Sequence, residues 1–299
     1  MPDSGVTTPN DDKRQRREER SRCRVESAVA LARAHGLRVE NPAVLNDLFS
    51  LMVHLRPAPV VARVATCMPT LRSPIADWLA REIEVTAYLE QQGVPVAGPS
   101  RELPPGPHEA DGFPISFWTY VEPDPDRTVT AADRAAMLVD LHAVLRTYPG
   151  ELPMLGANDI PRALEFLDQA GKILSETEVG RLRAAAERLR PLWETPGDDV
   201  QPLHGDVHAG NLIATRDGLV WIDFEDVWRG PVEWGMATVM DADAVAMHHR
   251  PDPEMLARCM ELRALQVALV LIAFYDDFGD LHGWDSSLRG MIGSLPPAS

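Results

Sequence analysis

The chain reads as an α+β protein of two lobes: a small one built on an antiparallel sheet with one main helix, and a larger one that is mostly helical. Three observations predict this. Two apolar runs, 48–55 and 60–65, flank the turn Arg56-Pro57-Ala58-Pro59, and a helical stretch over 74–92 follows them. A third run, 113–121, carries Phe117, Trp118 and Tyr120 and stops at Glu122-Pro123-Asp124-Pro125-Asp126. From Thr130 onward helical spacing takes over, interrupted by one short hairpin near residue 215. With 299 residues, 45% of them hydrophobic, the chain can bury a sizeable core.

Taken in order, residues 1–20 mix Pro, Gly, Thr, Asp and Arg without apolar periodicity and read as a disordered arm. The basic cluster 13–24 reads as a solvated tail. A helix is expected over 25–35, with Gly36 just past its end. Residues 21–121 then form the small lobe and 122–299 the large one. Arg63 stands inside the apolar strand Val60-Val61-Ala62-Arg63-Val64-Ala65, where a cation needs a partner. Pro74 starts the next helix, Gly93 follows its end, and Glu82 or Glu84 on it can supply that partner. Thr130 and Asp133 read as a capping box for a helix reaching about Thr147, with Leu138, Leu141, His142 and Leu145 on one face. His142 there reads as a hydrogen-bonded core residue. Asp159 and Ser175 read as caps of two more helices, and 252–278 as a long helix bearing Asp276 and Asp277.

The formal net charge of −16 argues against nucleic acid, whose affinity comes mainly from Lys and Arg on phosphates. It suits a cationic small molecule or plain solubility. Cys23, Cys67 and Cys259 form no Cys-x-x-Cys pair, which points to a reducing compartment. No apolar signal region begins the chain, and the apolar stretch 264–275 is too short to span a bilayer. A cytoplasmic protein acting away from membranes is the expectation.

Chemistry concentrates in Leu203-His204-Gly205-Asp206-Val207-His208-Ala209-Gly210-Asn211-Leu212-Ile213. The turn Thr215-Arg216-Asp217-Gly218 and the run Leu219-Val220-Trp221-Ile222 then deliver Asp223. Asp206, Asn211 and Asp223 are expected to converge at one mouth of this hairpin. Phosphoryl transfer asks for such a set: one carboxylate to orient a hydroxyl and accept its proton, and two oxygen ligands for Mg²⁺ against a nucleotide's phosphates. Phe224-Glu225-Asp226 adds two more acids, so either the side chains diverge or a cation lies among them. A rival reading makes His204, Asp206 and His208 the site of a metal-dependent hydrolase.

The pattern H-G-D-x-x-x-x-N followed by I-D-F-E-D resembles the aminoglycoside phosphotransferase and choline kinase group of small-molecule kinases, over 201–240 and more loosely over 53–145. The resemblance implies a protein-kinase-like fold, ATP (or another NTP) and Mg²⁺ as cofactors, and a small-molecule hydroxyl as acceptor. It implies Asp206 as catalytic base, Asn211 and Asp223 as metal ligands, and His204 as a structural brace. Arg63, paired with Glu82, would hold phosphates, and Ser50 would belong to the covering loop 46–50, which here lacks glycine. Trp118, Tyr120 and Val121 would meet the nucleotide base at the hinge. Glu225, Asp276 and Asp277 would stand near the metal or a substrate amine. Arg229-Gly230-Pro231 through Ala237 matches a segment in which the family's bracing Asp falls on Gly235, so looser support of the loop is expected. A member of the same fold that binds nucleotide with weak or no turnover is the alternative.

Overall fold

All six residues of the strand Val60–Ala65 (β3) are buried, which requires cover on both faces. In the computed structural model, which describes residues 9–155, 159–195, 197 and 199–297, β3 is the central strand of a five-stranded antiparallel sheet. Its companions are Ala43–Asp47 (β1), Ser50–His54 (β2), His108–Ala110 (β4) and Phe113–Thr119 (β5), in the order β1-β2-β3-β5-β4. Pairing of β3 with β5 sets Arg63 opposite Ser116. Val60, Ala62 and Val64 alternate onto one face and pack with Ala28, Val29 and Ala32 of the first helix, Pro9–Ala34 (α1). Val61 turns to the other face, against Ile83 of Ile75–Gln91 (α2) and Trp118.

Helix α1 departs from expectation. It begins at Pro9, inside the stretch read as a disordered arm, and residues 1–8 of that arm lie outside the described residues. The basic cluster is not a free tail. Lys13 donates to the Asp276 carbonyl at 3.1 Å, and Arg17 donates to the Asp277 carbonyl at 2.6 Å and to Asp280 at 2.8 Å. These partners lie on and just after Tyr275–Phe278 (α10), so α1 joins the sheet to the far end of the chain.

Helices dominate after β5 ends at Thr119. The first of them, Ala131–Leu145 (α3), carries the expected Thr130–Asp133 capping box. Ile160–Leu164 (α4), Glu176–Leu189 (α5) and Pro191–Glu194 (α6) come next, and α5 is capped by Ser175 with Glu178. Asp159 precedes α4 but makes no cap hydrogen bond there; its carboxylate is taken by a buried network described below. Gln201–Leu203 (β6) pairs with Trp228–Gly230 (β9), and Leu212–Ala214 (β7) pairs with Leu219–Trp221 (β8). Val232–Ala237 (α7), Ala242–His248 (α8), Pro253–Ala273 (α9), α10 and Trp284–Ser294 (α11) complete the described chain. The predicted long helix 252–278 is therefore two helices, broken at Phe274.

The two lobes are stitched at the β7–β8 hairpin. Ala97 donates to the Trp221 carbonyl at 2.9 Å and Trp221 donates to the Pro95 carbonyl at 2.8 Å, while Asp124, just past β5, donates to the Ala214 carbonyl at 2.8 Å. Phe49, in the turn between β1 and β2, reaches across to Phe274, Phe278 and Trp284, with ring centroids 5.6, 6.1 and 6.0 Å away. The glycine-free turn expected to cover phosphates is thus docked on the aromatic cluster of the larger lobe.

Candidate active site

Gly205 makes the bend that begins the site. Its φ is +85°, and a Cβ there would lie 2.1 Å from the Asp226 carbonyl oxygen, so no other residue fits this conformation and this contact. The bend turns His204 inward. His204 is fully buried; its Nε2 lies 3.1 Å from the Ile222 carbonyl and its Nδ1 accepts from the Asp206 N–H at 3.4 Å. Burial lowers its imidazole to about 4, so it stays neutral and braces the loop against the strand that delivers Asp223. With both ring nitrogens engaged, His204 has nothing to offer a metal. Among the described residues no group of three His, Cys, Asp or Glu side chains could hold one, which counts against the hydrolase reading.

Asp206, Asn211 and Asp223 converge as predicted. All three line one cavity of about 710 Å³ between the lobes. Asn211 donates its amide to the Asp206 backbone carbonyl at 2.9 Å and lies 3.4 Å from its Oδ2. Asp223 adopts φ +65°, a left-handed conformation that Asp tolerates better than most residues, and its Oδ1 has no hydrogen-bond partner. His208 reaches Asp206 Oδ2 at 3.4 Å and accepts from the Gly210 N–H at 2.9 Å.

The same cavity is lined by Ser50, Arg63, Glu82, Trp118, Tyr120 and Val121. Arg63 Nη1 lies 2.8 and 2.7 Å from the two Glu82 oxygens, which selects Glu82 over Glu84. Arg63 also approaches Asp223 Oδ1 at 3.3 Å and pairs with Glu225, while its Nε lies 3.4 Å from Ser50 Oγ. Burial pushes the Glu82 carboxyl up and Arg63 pulls it back.

A second arginine, which the sequence did not flag, completes the charge matching. Arg72 lies 2.9 Å from Glu225, 2.7 Å from Asp226 and 3.4 Å from Asp159, and its guanidinium stacks 4.7 Å from the Trp78 ring centroid. The acids after Asp223 are therefore separated by two cations, as their crowding demanded. Glu225, expected near the metal or a substrate amine, does line the cavity, with its carboxylate paired to Arg63 and Arg72. Asp276 and Asp277, expected near a substrate amine, lie outside the cavity lining: α1 reaches the backbone carbonyl of Asp276 and the carboxylate of Asp277.

Arg263 was likewise missed. It extends from α9 to pair with Asp206 Oδ1 and donates to Gln266 Oε1 at 2.8 Å, and Gln266 reaches Asp159 at 3.3 Å. Burial pushes the Asp206 carboxyl up, but Arg263, with His208 beside it, outweighs burial and holds it well below the usual carboxylate range. The available signal was Arg263 and Gln266, the two polar residues in the otherwise apolar stretch 262–273 of α9.

The loop's support also differs from expectation. The Val207 N–H donates to Thr238 Oγ1 at 2.9 Å, and Thr238 in turn donates to the Gly235 carbonyl at 2.8 Å. Position 235 itself is closed: a Cβ there would lie 2.7 Å from His142 Nε2.

The family model described as "Phosphotransferase enzyme family" matches residues 70–266. A search of curated proteins by sequence finds no match. Among solved structures, the chain is similar to an amicoumacin kinase in complex with AMP-PNP, Ca²⁺ and Ami, at TM-score 0.63 and 14% identity over 94% of this chain and 97% of that one. A microcompartment-associated aminopropanol kinase gives 0.61 and 16%, over 88% and 93%. Choline kinase LicA from Streptococcus pneumoniae gives 0.60 and 13%, over 90% and 98%. At such identities the likeness shows the fold, which is the bilobal protein-kinase-like fold of small-molecule kinases.

Proposed function

Because this chain belongs to the phosphotransferase enzyme family, we propose that it moves the γ-phosphoryl group of ATP to a hydroxyl of a small molecule. One observation carries the reading: Asp206, Asn211 and Asp223 line a single cavity together with the Arg63–Glu82 pair, and Arg63 lies 3.3 Å from Asp223. Asp206, kept ionised by Arg263, accepts the acceptor's proton as its oxygen attacks phosphorus. Asn211 and Asp223 would hold Mg²⁺. Asp223 Oδ1, which faces Arg63 at 3.3 Å but accepts no hydrogen bond, fits that role, and Asn211 has its amide nitrogen engaged, which commits its carbonyl oxygen to be the ligand atom. Bound there, the ion supplies positive charge against the triphosphate. Arg63 stays charged, since burial that lowers its basicity is outweighed by Glu225 and Glu82, and it faces the phosphates from the sheet. Trp118, Tyr120 and Val121 line the end of the cavity nearest the hinge and fit a nucleotide base. Three free cysteines among the described residues support a reducing, cytoplasmic setting.

The direct test is Asp206→Ala. Nucleotide should still raise its melting temperature, while phosphoryl transfer falls by about three orders of magnitude or more, in keeping with loss of a catalytic base that also orients its acceptor. Transfer undiminished in that variant removes Asp206 from the role. The docked β1–β2 turn favours a second reading, nucleotide binding without turnover, because that turn is not free to fold over phosphates. A thermal shift with Mg-ATP and no transfer to any hydroxyl compound would select it.

A further inference from the structure

The wall of the cavity beyond Asp206 is apolar, and its carboxylates are already matched. On α9, Arg263, Gln266, Val267, Val270 and Leu271 share one helical face by their spacing, and all of them line the cavity. Only the two nearest Asp206 are polar; the rest of the stripe is aliphatic. Leu48 and Phe49 of the β1–β2 turn and Met68 also line the cavity, and they belong with Val267, Val270 and Leu271 to one apolar cluster. Phe49 is fixed there by Phe274, Phe278 and Trp284.

We infer that the acceptor is an uncharged, largely apolar alcohol, seated between the Val267–Val270–Leu271 stripe and the Leu48–Phe49 turn with its hydroxyl at Asp206. This rests on the phosphotransferase reading and names its acceptor class. An amine-bearing acceptor needs a carboxylate with capacity to spare. Glu82 and Glu225 are bound to Arg63, Asp159 and Asp226 to Arg72, and Asp206 to Arg263. Asp223 remains, and it lies on the nucleotide side beside Arg63. Asp276 and Asp277 do not line the cavity, and the Asp277 carboxylate pairs with Arg20 of α1. A cation pressed against the aliphatic stripe would lose hydration with nothing to replace it, whereas an apolar body gains by leaving water.

The test uses the full chain and two probes that share a terminal hydroxyl, 6-phenylhexan-1-ol and 6-aminohexan-1-ol, each titrated calorimetrically with Mg-AMP-PNP present and each offered with Mg-ATP in a transfer assay. The neutral probe should bind at least tenfold more tightly than the amine. Val270→Asp on α9 and Leu48→Asn on the β1–β2 turn should each weaken it at least tenfold, with folding checked by circular dichroism. Equal or tighter binding of the amine, or no binding of the neutral probe, overturns the inference. Binding of the neutral probe without transfer would leave the acceptor class standing and count against the kinase reading alone.

Discussion

The hydroxyl of Thr238 accepts a hydrogen bond from the Val207 N–H at 2.9 Å and passes one on to the Gly235 carbonyl at 2.8 Å. Thr238 is fully buried, so water cannot replace either bond. Thr238→Val keeps the shape and removes both. The variant should lose about 1–3 kcal/mol of stability, the usual cost of stranding buried polar groups. Because Val207 adjoins Asp206, its turnover should fall further than its nucleotide affinity. Thr238→Ser should restore most of both. Urea denaturation and steady-state kinetics on the three proteins check this; a valine variant with wild-type stability would remove the bracing role.

Gly235 and His142 occupy one space. A Cβ at 235 would lie 2.7 Å from His142 Nε2 and 3.0 Å from its Cε1, inside a packed core. Gly235→Ala should therefore destabilise by about 1–3 kcal/mol through overpacking, although alanine is the better helix former. In a His142→Ala background the clash is gone, and the same change should become neutral or stabilise by up to about 1 kcal/mol. A double-mutant cycle by denaturation measures the coupling; additive effects would mean that the ring does not fill this space.

Much of the site could be read from residue type and spacing, and the rest could not, for a physical reason. Asp206, Asn211 and Asp223 are close in sequence and joined by a tight hairpin, so local geometry alone brings them together. Arg63 with Glu82 could be read because a cation in an apolar strand demands a partner and the next helix had one to give. Arg72, Arg263, Asp159 and Gln266 come from distant elements, and only the folded chain decides which of many arginines meets which acid. The same holds for α1: its composition suggested a free tail, but its basic residues pair with Asp277 and Asp280, far along the chain. Asp276 and Asp277 were misread as substrate-facing because acidity alone does not say which acids reach the cavity, and Glu225 does line it but is already paired with Arg63 and Arg72. The limits of β3, β5, α2 and α3 were set by Pro, Gly and capping residues and so were legible, but β1, β4, the start of α1 and the break at Phe274 were not, and the role of the β1–β2 turn depended on where Phe49 docks.

Arg63 holds three carboxylates at once: Glu82, Asp223 and Glu225. Arg63→Ala should cost about 3–5 kcal/mol, because it leaves buried acids facing one another. Arg63→Lys keeps the charge but not the fork that spans them, so it should recover only part of that stability and little transfer activity. Thermal and urea melts read the first, and a nucleotide-induced thermal shift together with a transfer assay reads the second. A lysine variant equal to wild type in both would show that point charge alone suffices.

His142 makes stability depend on pH. It is buried on α3, and burial, reinforced by His249, lowers its imidazole from the ordinary 6.5 to about 3. The unfolded chain therefore takes up a proton between about pH 6.5 and 3 that the folded chain refuses. The neutral ring's contribution is fully present above 6.5 and is lost as pH falls below it, by about 1.4 kcal/mol per pH unit. At pH 5 the loss is about 2 kcal/mol from this residue. Other groups titrate over the same range, so the comparison that isolates it is wild type against His142→Gln at pH 7.5 and pH 5.0. The wild type's stability relative to the variant should drop by about 2 kcal/mol between the two conditions. A difference that does not change with pH would mean that the ring is already protonated or reaches solvent in the folded protein.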